Sequence, residues 1–284
     1  MTRDDNRLAL AGVGFVKMSG SGNDFVVLDG RTVPVSVATD PEVVRRLSAR
    51  REGVGADGVV ILLPPTPEDE TEGIAFTMIY CNADGSRAEM CGNAALCSTS
   101  LAVEWGLAQP EGMRFRTDSG LVAARIRDGL PEIDLAAVDA VRVEAGIRRE
   151  QGELRIGFAA VGVPHLVVLR DECASVDVAS RGRALRHDAS LPTGANVNFV
   201  AARSDGRFDI RTFERGVEAE TLACGTGATA AAILLTAWGV ASGDSVTLVT
   251  RSGLELVATP NRTRAGWVPA LRGEGRVVYS GTLR

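Results

Sequence analysis

Two cysteine–glycine pairs stand at matched points of the chain: Cys91-Gly92 within NADGSRAEMCGNAALCSTSLAVEWGLA (82–108) and Cys224-Gly225 within RGVEAETLACGTGATAAAILLTAWGVA (215–241). The cysteines are 133 residues apart (224 − 91), and so are Trp105 and Trp238 (238 − 105). Each cysteine stands at the mouth of an Ala/Leu-rich segment of helical character that stops at Trp-Gly. A cysteine just before a helix meets unpaired backbone N–H groups and the positive end of the helix dipole. Both favour the thiolate and can draw its pKa from about 8.5 toward neutrality. The same N–H groups can hold a carboxylate, and Gly92 and Gly225 leave the backbone open to close approach. Taken singly, a free cysteine is more often a small core residue. That reading stands for Cys81, Cys97 and Cys173, which have no counterpart in the other half; the matched pair points to chemistry.

Two thiols suit removal of a proton from one face of a carbon and its return on the other, which inverts the centre. One sulfur must be thiolate while the other is thiol, and the roles exchange with direction. Backbone N–H groups would stabilise the carboxylate as negative charge develops. The chemistry calls for no pyridoxal, flavin or metal site. If the two halves pack with pseudo-twofold symmetry, the helix N-termini meet and the sulfurs face each other across a cleft.

The elements that must position these residues also recur. From Gly14, GFVKMSGSGNDFVVLDG predicts strand, tight loop, strand, with Asn23 and Asp24 at the loop's exit. Asp40-Pro41 starts a helix running to about Arg50, with Asp as N-cap and Pro at the first helical position. GVGADGVVILLP is a glycine turn entering a β-branched strand; because its glycines follow a helix and precede a strand, they do not fit a dinucleotide fingerprint. PPTPEDETE (64–72) reads as a solvated hairpin tip, and residues 112–143 alternate as hairpin strands do. The same stations return after residue 144: GELRIGFAAVGVPHLVVL, an arginine-rich stretch of helical potential at 176–186, TGANVNFVA, RFDIRTFERG and the second cysteine segment. Residues 244–281 return to strand patterning. The fold class is therefore α+β: two pseudo-symmetric β-rich domains, each wrapped around a central helix, with the active site in the cleft between them. Residues 13–143 form the first domain, completed by the C-terminal strand 276–284, and residues 144–275 form the second.

Composition sets the remaining bounds. The chain has 284 residues, 45% of them hydrophobic, enough for a large core. Its net charge of −5 is an even mixture of signs without a basic stripe, which argues against nucleic acid as a partner. No apolar run approaches the roughly 18 residues of a membrane span. The start MTRDDNRLAL is polar rather than a signal sequence, and residues 1–12 read as a frayed extension. Five cysteines without CxxC spacing read as free thiols in a reducing, cytoplasmic setting. A homodimer is compatible with the sequence, which fixes no oligomeric state.

Eight ordered motifs, SGSGNDF, GVGADG, NADGS, CGN, VPH, ANVNF, FERG and ACGTG, resemble those of the diaminopimelate epimerases, a family of cofactor-independent racemases and epimerases, over nearly the whole length. The resemblance implies Cys91 and Cys224 as base and acid, with His165 assisting Cys91 and Glu214 helping to set the state of Cys224. It implies a carboxylate cradle from Gly92, Asn93, Gly225 and Thr226, lined by Asn23. Asn82, Asn196, Glu214 and Arg215 would hold the distal amino-acid head group, Arg215 through its planar fork. Each has a plainer reading as turn residue, solvated ion pair or structural histidine. Three positions depart from the family pattern. Val163 replaces the usual Asn before Pro-His, Ala94-Ala95-Leu96 replaces Gly-x-Arg after CGN, and Gly58 stands where some members carry Gln. Val163 bears on substrate choice, since a site lacking one hydrogen-bonding partner discriminates differently. The expected reaction is epimerisation of LL-2,6-diaminoheptanedioate to the meso form. The alternatives are a related racemase of another amino acid such as histidine, or a non-catalytic small-molecule-binding relative. Proline racemase relatives usually carry Cys-Gly-His at the first cysteine, which Asn93 disfavours.

Overall fold

A computed structural model describes residues 10–284; most of the frayed extension expected over 1–12 lies outside the described residues. They form two compact units, one running to Ile133 and including Gly273–Arg284, the other Asp134–Arg272.

In the first unit the chain runs β1 (Gly14–Gly20), β2 (Asn23–Asp29), α1 (Val35–Ala38), α2 (Pro41–Ser48), β3 (Gly58–Leu63), α3 (Pro67–Thr71), β4 (Phe76–Asn82), β5 (Arg87–Ala88), α4 (Gly92–Glu104), β6 (Met113–Thr117), β7 (Gly120–Arg127) and β8 (Leu130–Asp134). β1 and β2 pair antiparallel, β2 and β3 parallel, β3 and β4 antiparallel, β4 and β6 parallel, and β6 and β7 antiparallel. Asp40 caps α2 as its sequence predicts, accepting from the N–H groups of Glu42 and Val43.

The second unit repeats this order: β9 (Val141–Arg142), β10 (Glu153–Val161), β11 (Val163–Arg170), α5 (Val178–Arg186), β12 (Asn196–Ala202), β13 (Phe208–Glu214), β14 (Ala219–Thr221), α6 (Gly225–Ala237), β15 (Val246–Val249), β16 (Glu255–Thr259) and β17 (Ala270–Gly273). From β10 through β16 the pairings alternate antiparallel and parallel in the same sequence as in the first unit. The last strand, β18 (Arg276–Thr282), returns to the first unit and pairs with β1.

The central helices α4 and α6 are buried on nearly every side, as their lack of a polar face requires. Each packs against strands of its own unit, α4 on β1, β3, β4 and β7, and α6 on β10, β11, β12 and β16. Both stop as the repeated Trp-Gly predicts: Trp105 and Trp238 are C-caps, and Gly106 and Gly239 follow with φ of 69° and 70°. A side chain would be strained there.

Residues 64–72 join the antiparallel strands β3 and β4 and are mostly exposed, as expected of a solvated hairpin tip, and within them Thr66 and Asp69 form a reciprocal capping box that starts the short helix α3. Asp69 is buried and pairs with Arg116 at 2.9 Å, so the acidic run carries a structural anion. Among the described residues no helix is long and apolar enough to cross a membrane.

Candidate active site

Cys91 and Cys224 are the N-caps of α4 and α6, each with extended backbone (φ −132° and −139°), and neither makes a side-chain capping bond. The carbonyls of Cys91 and Cys224 accept from Ala95 and Ala228 at 2.9 Å, the first intrahelical bonds. The N–H groups of Gly92, Asn93, Gly225 and Thr226 lie in the turn where a helix has no internal acceptors for its donors, the condition for anion binding.

In the first unit a chain of contacts reaches α4. Asn93 is buried and donates through Nδ2 to Asn23 Oδ1 at 2.6 Å, and Asn23 donates to Asp57 Oδ2 at 2.9 Å. Behind them Asp24 accepts from Lys17 Nζ at 2.7 Å and from both terminal nitrogens of Arg50 at 2.9 and 2.8 Å, and Arg50 also reaches Asp57 at 2.7 Å. The GVGADG turn thus supplies Asp57, which orients Asn23, and so acts through side chains rather than as a phosphate cradle. Burial alone would raise the Asp24 carboxyl, but Arg50 and Lys17 outweigh it and hold its pKa at about 2. Asn82 ends β4 opposite Gly58 and donates to Ser86 Oγ at 3.0 Å. Cys97 is fully buried, and burial first, then the charges of Cys91 and Glu274, raise its pKa. It is a core thiol beside Cys91.

Asp24→Ala leaves the buried Lys17 ammonium without its carboxylate, so a loss of about 3 kcal/mol is expected in chemical denaturation, in the range for breaking a buried ion pair. The sign with pH follows from the lowered pKa. The Asp24 contribution is fully present above the unfolded carboxyl value of about 4 and is lost as pH falls through about 2. The difference between wild type and variant should therefore shrink over that interval.

In the second unit Cys224 Sγ lies 3.6 Å from Thr226 Oγ1. Although the residue is half-buried by surface exposure, protein atoms crowd its sulfur. That desolvation, followed by the charge of Glu214, raises the thiol pKa far above its usual value; Thr226 and the Gly227 N–H pull the other way but are weaker. The helix start by itself argues for a lowered pKa, whereas burial and the neighbouring carboxylate act in the opposite direction and raise it. Both influences favour the thiol form of Cys224. Glu214 accepts from Thr221 Oγ1 at 3.0 Å. Asn196 is buried at the start of β12, and its Oδ1 accepts the Arg215 backbone N–H at 2.8 Å, while Arg215 Nη1 donates to the Thr193 carbonyl at 3.2 Å. His165 is fully buried on β11, its Nδ1 3.2 Å from Asn198 Nδ2. Burial first, then the positive charge of Arg215, lowers its pKa to about 3, against an opposing influence of the Val161 backbone. The second unit therefore gathers Cys224, Glu214 and Thr226 at one helix start, and Asn196 with Arg215 at a strand end.

The residues missed in the sequence are the supporting ones: Asp24, Arg50 and Asp57 in the first unit, Asn198, Thr212 and Thr221 in the second. Asn198 carried a signal, since an Asn enclosed by Val197 and Phe199 in a β-branched run marks a buried polar group.

The family model for diaminopimelate epimerase matches residues 15–141 and 157–276. The chain belongs to the diaminopimelate epimerase family. It is 48% identical over 279 residues to a diaminopimelate epimerase of Gemmatimonas aurantiaca, covering 95% of this chain and 98% of the relative. A diaminopimelate epimerase of Aquifex aeolicus is 39% identical over 248 residues, 84% of this chain and 87% of the relative. Among solved structures, a phenazine biosynthesis protein of the PhzF family from Bacillus anthracis superposes with a TM-score of 0.71 at 12% identity, covering 96% of this chain and 99% of that one. A hydroxyproline epimerase from Agrobacterium vitis gives 0.66 at 21% identity, covering 96% and 92%. At such identities these two structures speak for the fold alone. The family's two-domain α+β fold is the one described above, with one cysteine-capped helix in each unit.

Proposed function

We propose that this chain is an isomerase that interconverts LL-2,6-diaminoheptanedioate and its meso form without a cofactor, with Cys91 and Cys224 as the two bases. The observation that carries the reading is the pair of cysteine N-caps at equivalent points of two equivalently built units, in a chain of this family. The raised thiol pKa of Cys224 supports its starting as the acid. Cys91 then takes the α-proton as thiolate: its sulfur forms the S–H bond as the Cα–H bond breaks, and the electron pair spreads into the substrate carboxylate. N–H groups of Gly92, Asn93, Gly225 and Thr226 stabilise that charge, and Cys224 returns a proton to the other face. Turnover ends with the protonation states exchanged, which is the starting state for the reverse reaction.

Asn82, Asn196, Glu214 and Arg215 are assigned to the distal head group, whose carboxylate and ammonium need one cation and one anion between them. The bond from Asn196 to the Arg215 backbone supports that pairing. The reaction belongs in the cytoplasm, where the five cysteines, free in the structure, would stay reduced.

The test is incubation with LL-diaminopimelate in deuterium oxide. Deuterium at the α-carbon together with the meso product is expected. Half-buried Val163, in the position of a polar residue, motivates L-histidine as the parallel substrate. Exchange with L-histidine alone would transfer the reading to a histidine racemase, and exchange with no amino acid would leave a binding protein.

A further inference from the structure

Asn198 lies at the centre of a closed hydrogen-bond set that the reaction scheme leaves unused. It is fully buried on β12, and each polar atom of its side chain is engaged. Nδ2 donates to the Leu166 carbonyl at 3.0 Å and faces His165 Nδ1 at 3.2 Å. Oδ1 accepts from Thr212 Oγ1 at 2.9 Å. The amide cannot be turned over without setting two oxygens against each other at Leu166, so the carbonyl fixes which end is nitrogen. With a donor facing it, His165 Nδ1 is cast as the acceptor, which puts the ring proton on Nε2; the Val161 backbone, which also reaches the ring, is the competing acceptor. A proton on Nδ1 would oppose the Asn198 N–H that faces it. His165 Nε2 is buried and has no hydrogen-bond partner among the described residues, so the set ends in a donor rather than a base. The other side of Asn198 meets α6: a Cβ on Gly227 would overlap Asn198 Oδ1 and come within 3.2 Å of Cys224 Sγ.

We propose that Asn198 is a positioning residue that holds His165 as a neutral Nε2–H donor and braces the first turn of α6 behind Cys224. His165 then assists the reaction by donating a hydrogen bond to a sulfur or to substrate, and carries no proton between them. That catalytic consequence rests on the function proposed above; the tautomer does not.

The chain has two histidines, and His187 is exposed and serves as an internal reference. Nitrogen-15 spectra of the substrate-free protein at neutral pH should show one ring, His165, with Nε2 protonated and Nδ1 bare. Asn198→Asp puts an acceptor against Nδ1, and the proton should move there. In the same variant kcat should fall about 10²-fold, the scale of a misplaced catalytic group, with KM little changed and the His187 signals intact. A wild-type His165 protonated at Nδ1, or an Asn198→Asp spectrum with the wild-type tautomer, would overturn the proposal, and so would a loss carried by KM alone. The wild-type spectrum decides the tautomer even if the variant does not fold. A wild type without epimerase activity would defeat the proposed function and leave the spectra to judge Asn198.

Discussion

Cys91→Ala and Cys224→Ala should each reduce epimerisation by about 10³–10⁴-fold, the loss expected when a general acid or base is removed from a step that needs both. The cysteines tie their helices only weakly, Cys224 through the Gly227 N–H and Thr226 Oγ1, so both variants should melt close to the wild type, and the loss is chemical. Cysteine to serine should do no better, because an alcohol does not ionise in this pH range. The double variant should be little worse than either single one, since groups that act as a unit are not additive. Conversion of LL-substrate to the meso form, followed by chiral chromatography, is the measurement. Full inversion by either single variant defeats the two-base scheme. The resting states add an asymmetry. Cys224 is held protonated by burial and by Glu214, so Glu214→Gln removes one of the two influences that keep it a thiol and should lower its pKa. Alkylation of Cys224 by a small electrophile should then proceed faster than in the wild type at the same pH.

The parts legible in the sequence were those fixed by local physics. Cysteine-glycine before an Ala/Leu-rich run, Trp-Gly after it and Asp-Pro before α2 set helix ends through caps and positive φ, and the structure has each of them. The strand order was legible because it is written twice. What the sequence did not disclose depends on neighbours far apart in the chain. Asp57 faces Asn23 from 34 positions away and Asn198 faces His165 from 33, and no spacing rule connects them. PPTPEDETE shows the same limit: its charge pointed to solvent, where most of it lies, but not to the buried role that Thr66 and Arg116 give Asp69. The sign of the Cys224 shift was equally out of reach, because dipole and desolvation oppose each other and only the packing tells which is larger.

Gly227→Ala should separate activity from stability. Within a helix the change favours folding by about 1 kcal/mol, and the new methyl carbon costs about 1–3 kcal/mol in overpacking, so the net effect on folding is small. The carbon nevertheless has nowhere to go. It overlaps Asn198 Oδ1 and stands 3.1 Å from Asn198 Cγ and 3.2 Å from Cys224 Sγ. Asn198 is tied to Leu166, His165 and Thr212 and does not yield, so the first turn of α6 must shift and take Cys224 with it. A displacement near 1 Å costs about 10²-fold in rate, and kcat should fall by that much while the melting temperature moves by a few degrees. The first unit shows that the constraint comes from the facing strand and not from the helix start. The equivalent position there is Ala94 (227 − 133), fully buried with its Cβ in place. A tight approach there lies on the strand side, where a Cβ on Gly20 would stand 2.8 Å from the Asn93 carbonyl oxygen and 2.9 Å from Cys97 Sγ. Each unit thus keeps positions bare of a side chain where its cysteine helix is seated, Gly20 and Gly275 in the first and Gly157 and Gly227 in the second. Wild-type kcat in Gly227→Ala would mean that the cysteine tolerates a looser seat than this packing implies.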